Sequence, residues 1–570
     1  MIGAMAGEKG MKANRREMIG GAIAAAALAP AAASAVTTAR QAPGVGRALK
    51  VPAPARFTPD WESLTTGYSV PDWFRDAKFG MWAHWTAQCV PEAGDWYARD
   101  MYLPGSRAYE HHLKHYGHPA DVGFMQIQNL WKADRWDPGR LLDLYKKAGA
   151  KYFMALANHH DNLDTYDSRY HPWNTTRVGP RRDIIGGWQK AARARGLRFA
   201  VSNHSAHAWH WNQPAYGYDP TGPRAGERYD AYKLTAAQGR GQWWDGLDPQ
   251  QLYTGRFMPM PDGIRTLDEA NAWHEATDRL WNEGVPAGDF AANWLMRVKD
   301  LAEKYRPDMV YFDNFDLPLE QYGLDFTSWF YNQSMKWNGG RLEAVVTSKV
   351  TPPQRRMGIV DDVERGGKSY IERFPWQTDT CIGNWHYDID VYNNDGYKTA
   401  ANVIHTLCDV VSKNGNLMLS VPMRGDGTID DKEEKVVNDI AEWMGRYGEA
   451  IYGSRPWKLN GEGPTRPNAG NFSEGGPKSP YTARDVRYVT RGGNLHALVM
   501  GWPEDGVVRM TLLAQGNPTM PGRIERVTIQ GDNTPLAFRR TAEALEVTLP
   551  QDARHPIGVP LVIAGNGVTA

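Results

Sequence analysis

Between Phe57 and Trp457 the hydrophobic positions alternate between two patterns. Short unbroken apolar runs recur: Phe79-Gly80-Met81-Trp82-Ala83-His84, Tyr152 to Ala157, Arg198 to Ser202, Met309 to Phe312 and Leu417 to Val421. Runs of that length predict strands buried on both faces, as in a parallel sheet. Between them lie stretches with helical spacing. Leu295, Val298, Leu301, Ala302 and Tyr305 make one apolar stripe, and further helices are expected at Ile184 to Arg195, Ala400 to Ser412 and Glu433 to Tyr447. Strand and helix alternating in this way predict an α/β fold: an irregular (β/α)8-like TIM barrel over residues 57–457. Residues 211–290 lose the periodicity and are rich in Gly, Pro, Tyr and Trp, which predicts a loop insertion with some helix near Leu267 to Leu280. After Trp457, turn-rich segments separate short alternating stretches such as Val507-Val508-Arg509-Met510-Thr511-Leu512. Residues 458–570 are therefore expected to form an all-β sandwich.

The apolar runs end in polar chemistry: His84-Trp85, Asn158-His159-His160-Asp161, Asn203-His204 and Asp313-Asn314. In a barrel these ends gather on one face, where active sites are built. Asp313 would project from rigid backbone into the barrel mouth, which suits a nucleophile attacking an anomeric carbon; Asp316 is its nearest rival. A second carboxyl must protonate the leaving oxygen. The segment Gly358 to Arg365 ends another apolar run with three acids, and Glu364 has the longest reach; Asp361, Asp362 and the nearby Glu372 stay open. Neutral imidazoles at His84, His159 and His160 can hydrogen-bond sugar hydroxyls. His204, His207 and His210, at steps of three, could share a helix face, but no HExxH pattern accompanies them, so no metal and no cofactor are expected.

Composition narrows the partners. Lys and Arg together number 65 and so do Asp and Glu, giving zero formal charge and no general pull toward nucleic acid or an anionic membrane. The 23 Trp and 26 Tyr against 15 Phe favour rings with a flat apolar face and a polar edge, the complement of a sugar. Cys89, Cys381 and Cys408 are odd in number and show no zinc spacing or disulfide plan. At the N-terminus, Arg15-Arg16 precedes an Ala-rich stretch from Ile19 to Ala33 and then Ala33-Ser34-Ala35. Residues 1–35 read as a twin-arginine-type signal peptide and 36–56 as a linker, which places the mature protein in the periplasm or outside the cell, free of the membrane after cleavage.

Several ordered segments together resemble glycoside hydrolase family 29, the α-L-fucosidases. They are Trp73 to Gly80 with His84-Trp85, then Asp95-Trp96-Tyr97, His159-His160-Asp161, Tyr166-Asp167-Ser168, Trp173-Asn174 and Gly179 to Asp183. Tyr311-Phe312-Asp313, Asp409 to Leu417, Asp426 to Ile429 and Glu449 to Gly453 continue the order. The resemblance implies metal-independent retaining hydrolysis of terminal α-L-fucosides on glycans. By this resemblance Asp313 would be nucleophile and His84, Asp95, Trp96, His159 and His160 fucose ligands; the family marks its acid/base poorly, so Glu364 rests on its own segment. Three departures point to a divergent branch. Val201-Ser202-Asn203-His204 stands where Tyr-Tyr-Ser is common, Asp95 where Glu is usual, and Trp376-Gln377 where Trp-Glu is commoner. His204, Trp376 and Trp385 join the sugar-contact candidates on these segments. A related sugar such as an α-L-galactoside, a histidine-ligated metal hydrolase and a non-catalytic carbohydrate-binding protein are the alternatives.

Overall fold

The computed structural model describes residues 56–569 apart from 283–285, 287–288 and 475–480; the expected signal peptide and all but the last residue of the linker lie outside the described residues. Eight parallel strands close into a barrel: β1 Phe79–Ala83, β2 Tyr152–Asn158, β3 Arg198–Asn203, β4 Met309–Phe315, β5 Val345–Lys349, β6 Val360–Glu364, β7 Trp376–Cys381 and β8 Gly415–Ser420. Closure comes from β8, whose Leu417 lies opposite Phe79 of β1. The α/β barrel expected from the alternating pattern is therefore present, and the strands missing from the sequence reading are β5 and β7.

Each strand is buried on both faces, and the two faces serve different cores. Trp82, Tyr152, Met154, Leu156, Ala200, Met309, Tyr311, Val345, Val360 and Met418 fill the interior, with Phe74 and Ala77 in the same cluster. The outward residues join the main hydrophobic cluster with the surrounding helices. Gly80 is fixed by this packing, because a Cβ there would run into the ring of Tyr152. The helices form where their signals lie. Asp183 caps Ile184–Ala194 by accepting from the Gly186 N–H, and Asp430 and Glu433 make a reciprocal capping box that opens Asp431–Tyr447 two residues earlier than the apolar stripe alone suggests. Phe290–Tyr305 and Ala400–Ser412 are helical as well.

Residues 205–282 contain only short helices until Leu267–Asp278. The buried Arg99 guanidinium binds this region to the barrel through the Trp211 carbonyl (3.0 Å) and Asp278 (2.6 Å). The C-terminal domain has two antiparallel sheets. One is ordered β13-β16-β11-β10-β9 and the other β12-β15-β14, from β9 Arg455–Glu462, β10 Val486–Arg491, β11 Asn494–Val499, β12 Val507–Met510, β13 Arg523–Ile529, β14 Phe538–Arg540, β15 Leu545–Thr548 and β16 Pro560–Asn566. It packs on helix Ala400–Ser412, where buried Asp409 accepts from Arg487 (2.7 Å) and Lys413 (2.6 Å). No helix among the described residues is long and apolar enough to cross a membrane.

Candidate active site

Asp313 stands on β4 at the mouth of the barrel and is 9% exposed. Its Oδ2 accepts from His204 Nδ1 and from His160 Nε2, each at 3.1 Å. Its Oδ1 pairs with the Lys349 ammonium, and its backbone carbonyl accepts from His207 Nε2 at 2.8 Å. Burial alone would raise this carboxyl, but Lys349, His204 and His160 outweigh it and hold Asp313 well below the usual carboxylate range. That keeps the group ionised, as a nucleophile must be.

Lys349, the last residue of β5, also pairs with Glu364, the last residue of β6. One ammonium thus touches both carboxyls named from the sequence. Trp385 Nε1 donates to the other oxygen of Glu364 at 3.1 Å, and its ring lies 5.4 Å from Trp82 and 5.5 Å from His84. The rival acids stand elsewhere. Asp361 points to the opposite side of β6 and is held by Lys368 (2.5 Å) and the Thr351 N–H (2.9 Å), and Glu372 lies 3.6 Å from Arg356. Asp316 pairs with Arg355. Asp362 faces inward but one layer deeper, where it accepts from Gln377 at 2.6 Å. Beside it Asp379 accepts from Tyr311 at 2.8 Å, and burial pushes both carboxyls upward.

The histidines line the remaining wall. The ring centroids of His84, His159 and His204 lie within 5.1–5.4 Å of one another, and those of His159 and His160 are 4.2 Å apart. Their tautomers follow from their neighbours. The amide oxygen of Gln88 accepts from the Ala98 N–H, so its nitrogen faces His159 Nδ1 (2.7 Å) and leaves the proton of that ring on Nε2. His160 Nδ1 donates to the His204 carbonyl at 2.8 Å. Ligand atoms of His84, His159 and His204, or of His160, His204 and Asp313, approach within 4.8 Å of one another, a spacing open to a metal ion. In the first set, His159 favours a hydroxyl, because with Nδ1 accepting from Gln88 its Nε2 carries the proton.

Asp95 and Trp96 stand at the rim. Asp95 Oδ1 accepts from the backbone N–H of His386 at 2.7 Å, and the Trp96 ring lies edge-on 6.5 Å from His160. Trp376 is a correction to the sequence reading. It starts β7 with its ring on the outer face against Val363 and Val410 and its Nε1 donating to the Lys413 carbonyl, because inward positions on that strand are the odd-numbered ones from Gln377. Lys349, His207 and His386, the last with its ring 4.6 Å from His84, belong to the cluster and were not among the chosen candidates. His207 was visible only as part of a histidine series, and Lys349 only as the end of a five-residue strand.

Burial sets a pH response. It lowers His112 and His204 to about 4 and His171 and His207 to about 3, against about 6.5 for an unfolded histidine. The folded chain therefore binds fewer protons than the unfolded one between those values. The stability contributed is complete above about pH 6.5 and is lost as pH falls toward 4. Melting temperature is expected to drop from pH 7 to 4.5, and to drop less in His171→Asn, whose parent ring donates to the Asn162 carbonyl.

The α-L-fucosidase family model matches residues 47–449. The chain is 26% identical over 516 residues to the tissue α-L-fucosidase of Bos taurus, covering 87% of this chain and 88% of the relative. With the human tissue enzyme identity is 24% over 487 residues, covering 84% and 85%. Among solved structures, the Thermotoga maritima α-L-fucosynthase superposes with a TM-score of 0.64 at 24% identity, covering 90% of this chain and all of that one. The Thermotoga maritima α-fucosidase in complex with fucose gives 0.63 at 24% identity, covering 89% and 100%. The barrel, the sequence matched across it and the length shared with these relatives together place this chain in the α-L-fucosidase family.

Proposed function

We propose that this protein is an exo-acting retaining glycosidase that hydrolyses terminal α-L-fucosides on glycans, working in the periplasm or outside the cell. The observation that carries the mechanism is the single Lys349 ammonium in contact with both Asp313 and Glu364. Two carboxyls that touch one ammonium are close neighbours across the mouth of the barrel, the arrangement a double displacement requires at ~5–5.5 Å.

In this reading Asp313, kept ionised by its cationic and imidazole neighbours, attacks the anomeric carbon while Glu364 protonates the departing oxygen. The carbon–oxygen bond to the aglycone breaks as the bond to Asp313 forms. Water then enters, Glu364 takes its proton, and the glycosyl–Asp313 ester is cleaved with configuration restored. His84, His159 and His204 address the sugar hydroxyls, His160 stands beside them with its two nitrogens on Asp313 and the His204 carbonyl, and Trp385 and Trp96 are flat walls with Asp95 at the rim. A chemistry built on carboxyls needs no cofactor.

Nitrophenyl α-L-fucoside is expected to be cleaved at least ten times faster than the α-L-galactoside, with the α-anomer of free fucose appearing first by NMR. A chelator should leave the rate unchanged. Initial release of the β-anomer would overturn the double displacement, and preference for the galactoside would move the substrate.

A further inference from the structure

Glu364 is held by the second domain. Its strand loses its β5 neighbour early, because the register ends with Lys349 opposite Asp362 and the chain turns away at Val350, φ 50°. The backbone of Glu364 is then left with a donor and an acceptor to satisfy. Both are met by a segment that follows β9. Asn471 Oδ1 accepts from the Glu364 N–H at 2.8 Å, and the Phe472 N–H donates to the Glu364 carbonyl at 2.7 Å. Gly470 and Gly367 form an antiparallel bridge beside them, and a Cβ on Gly366 would strike the Gly470 carbonyl, so that glycine lets the two chains meet. Glu474 closes the junction, accepting from Thr380 at 2.8 Å and pairing with Lys398 at 2.7 Å.

Phe472 is 45% exposed and sits at φ 54°, a costly conformation for a bulky residue. Arg365, directly after Glu364, is at φ 45°. Both sides of this junction are strained, and a half-exposed aromatic residue is anchored by its backbone N–H to the carbonyl of Glu364. Glu364 marks the side on which the leaving group departs, and pyranose rings present C–H faces that rest on aromatic rings.

We propose that residues 470–474 of the second domain are part of the active site, with Phe472 as the surface that receives the departing sugar. This rests on the hydrolase reading above and adds a leaving-group site to it. The test compares 2-O-fucosylgalactose, whose leaving group is a pyranose, with α-L-fucosyl fluoride, whose leaving atom carries no ring. In Phe472→Ala the ratio of kcat/KM for disaccharide over fluoride is expected to fall about three- to tenfold, and Phe472→Tyr should restore most of it. Phe472→Leu, which keeps bulk without a flat face, should behave like the alanine variant. An unchanged ratio in Phe472→Ala, or an equal fall on both substrates, overturns the proposal. Turnover of the fluoride by the unaltered protein reports separately on the hydrolase reading.

Discussion

Asp313→Ala is expected to lower kcat/KM on nitrophenyl α-L-fucoside by at least about a thousandfold, roughly 4 kcal/mol of transition-state stabilisation. In the proposed mechanism the carboxylate forms the covalent bond, and the acids nearby are engaged elsewhere: Asp316 is occupied by Arg355, and Glu364 stands across Lys349. Loss of folding is not the expected cause. His204 is held neutral by burial, and Lys349 keeps Glu364 as partner. Azide, small enough to fill the space of the lost carboxyl, should restore measurable turnover and release a fucosyl azide of inverted configuration. Retention of more than a tenth of the activity, with a normal melting temperature, would remove Asp313 from the mechanism.

The second large effect falls on Glu364 and depends on the leaving group. Glu364→Gln should cost about a hundred- to ten-thousandfold on a fucosyl disaccharide, whose alkoxide cannot depart unprotonated. On nitrophenyl α-L-fucoside, whose phenolate leaves readily, the first step should be nearly spared and the second slowed, so that a burst of nitrophenol precedes slow turnover. Equal losses on both substrates would point to a role in binding. Asp361→Asn is the informative control. That residue faces Lys368 and Thr351 on the outer side of the strand, and its change should leave the leaving-group dependence as it was.

These roles show which parts of the molecule are readable from residues alone. Strands with both faces in apolar cores announce themselves as unbroken runs, and β1, β2, β3, β4 and β8 do so. β7 does not, because Trp376-Gln377-Thr378-Asp379-Thr380-Cys381 turns Gln377 and Asp379 into a polar layer of the barrel interior. β5 offers only Val345-Val346 before Thr347-Ser348-Lys349, too short a run to be noticed. With it went Lys349, the cation that joins the two acids. The period of two could have decided more than it was asked to. Once Val360–Glu364 is a strand, Asp361 must face away from Asp362 and Glu364, and the same parity puts Trp376 outside. The contact between Glu364 and Asn471 has no local signature, since it joins two domains across 107 positions.

His84, His159, His160 and His204 are each 3% exposed or less, and Asp313 lies among them. If the sugar is bound among side chains so enclosed, it enters by its own free face, with the rest of the glycan trailing out. A fucose bearing a further substituent on a hydroxyl bound for those imidazoles would then be shut out until another enzyme had stripped it, so that enclosure would set the order in which a branched glycan can be dismantled.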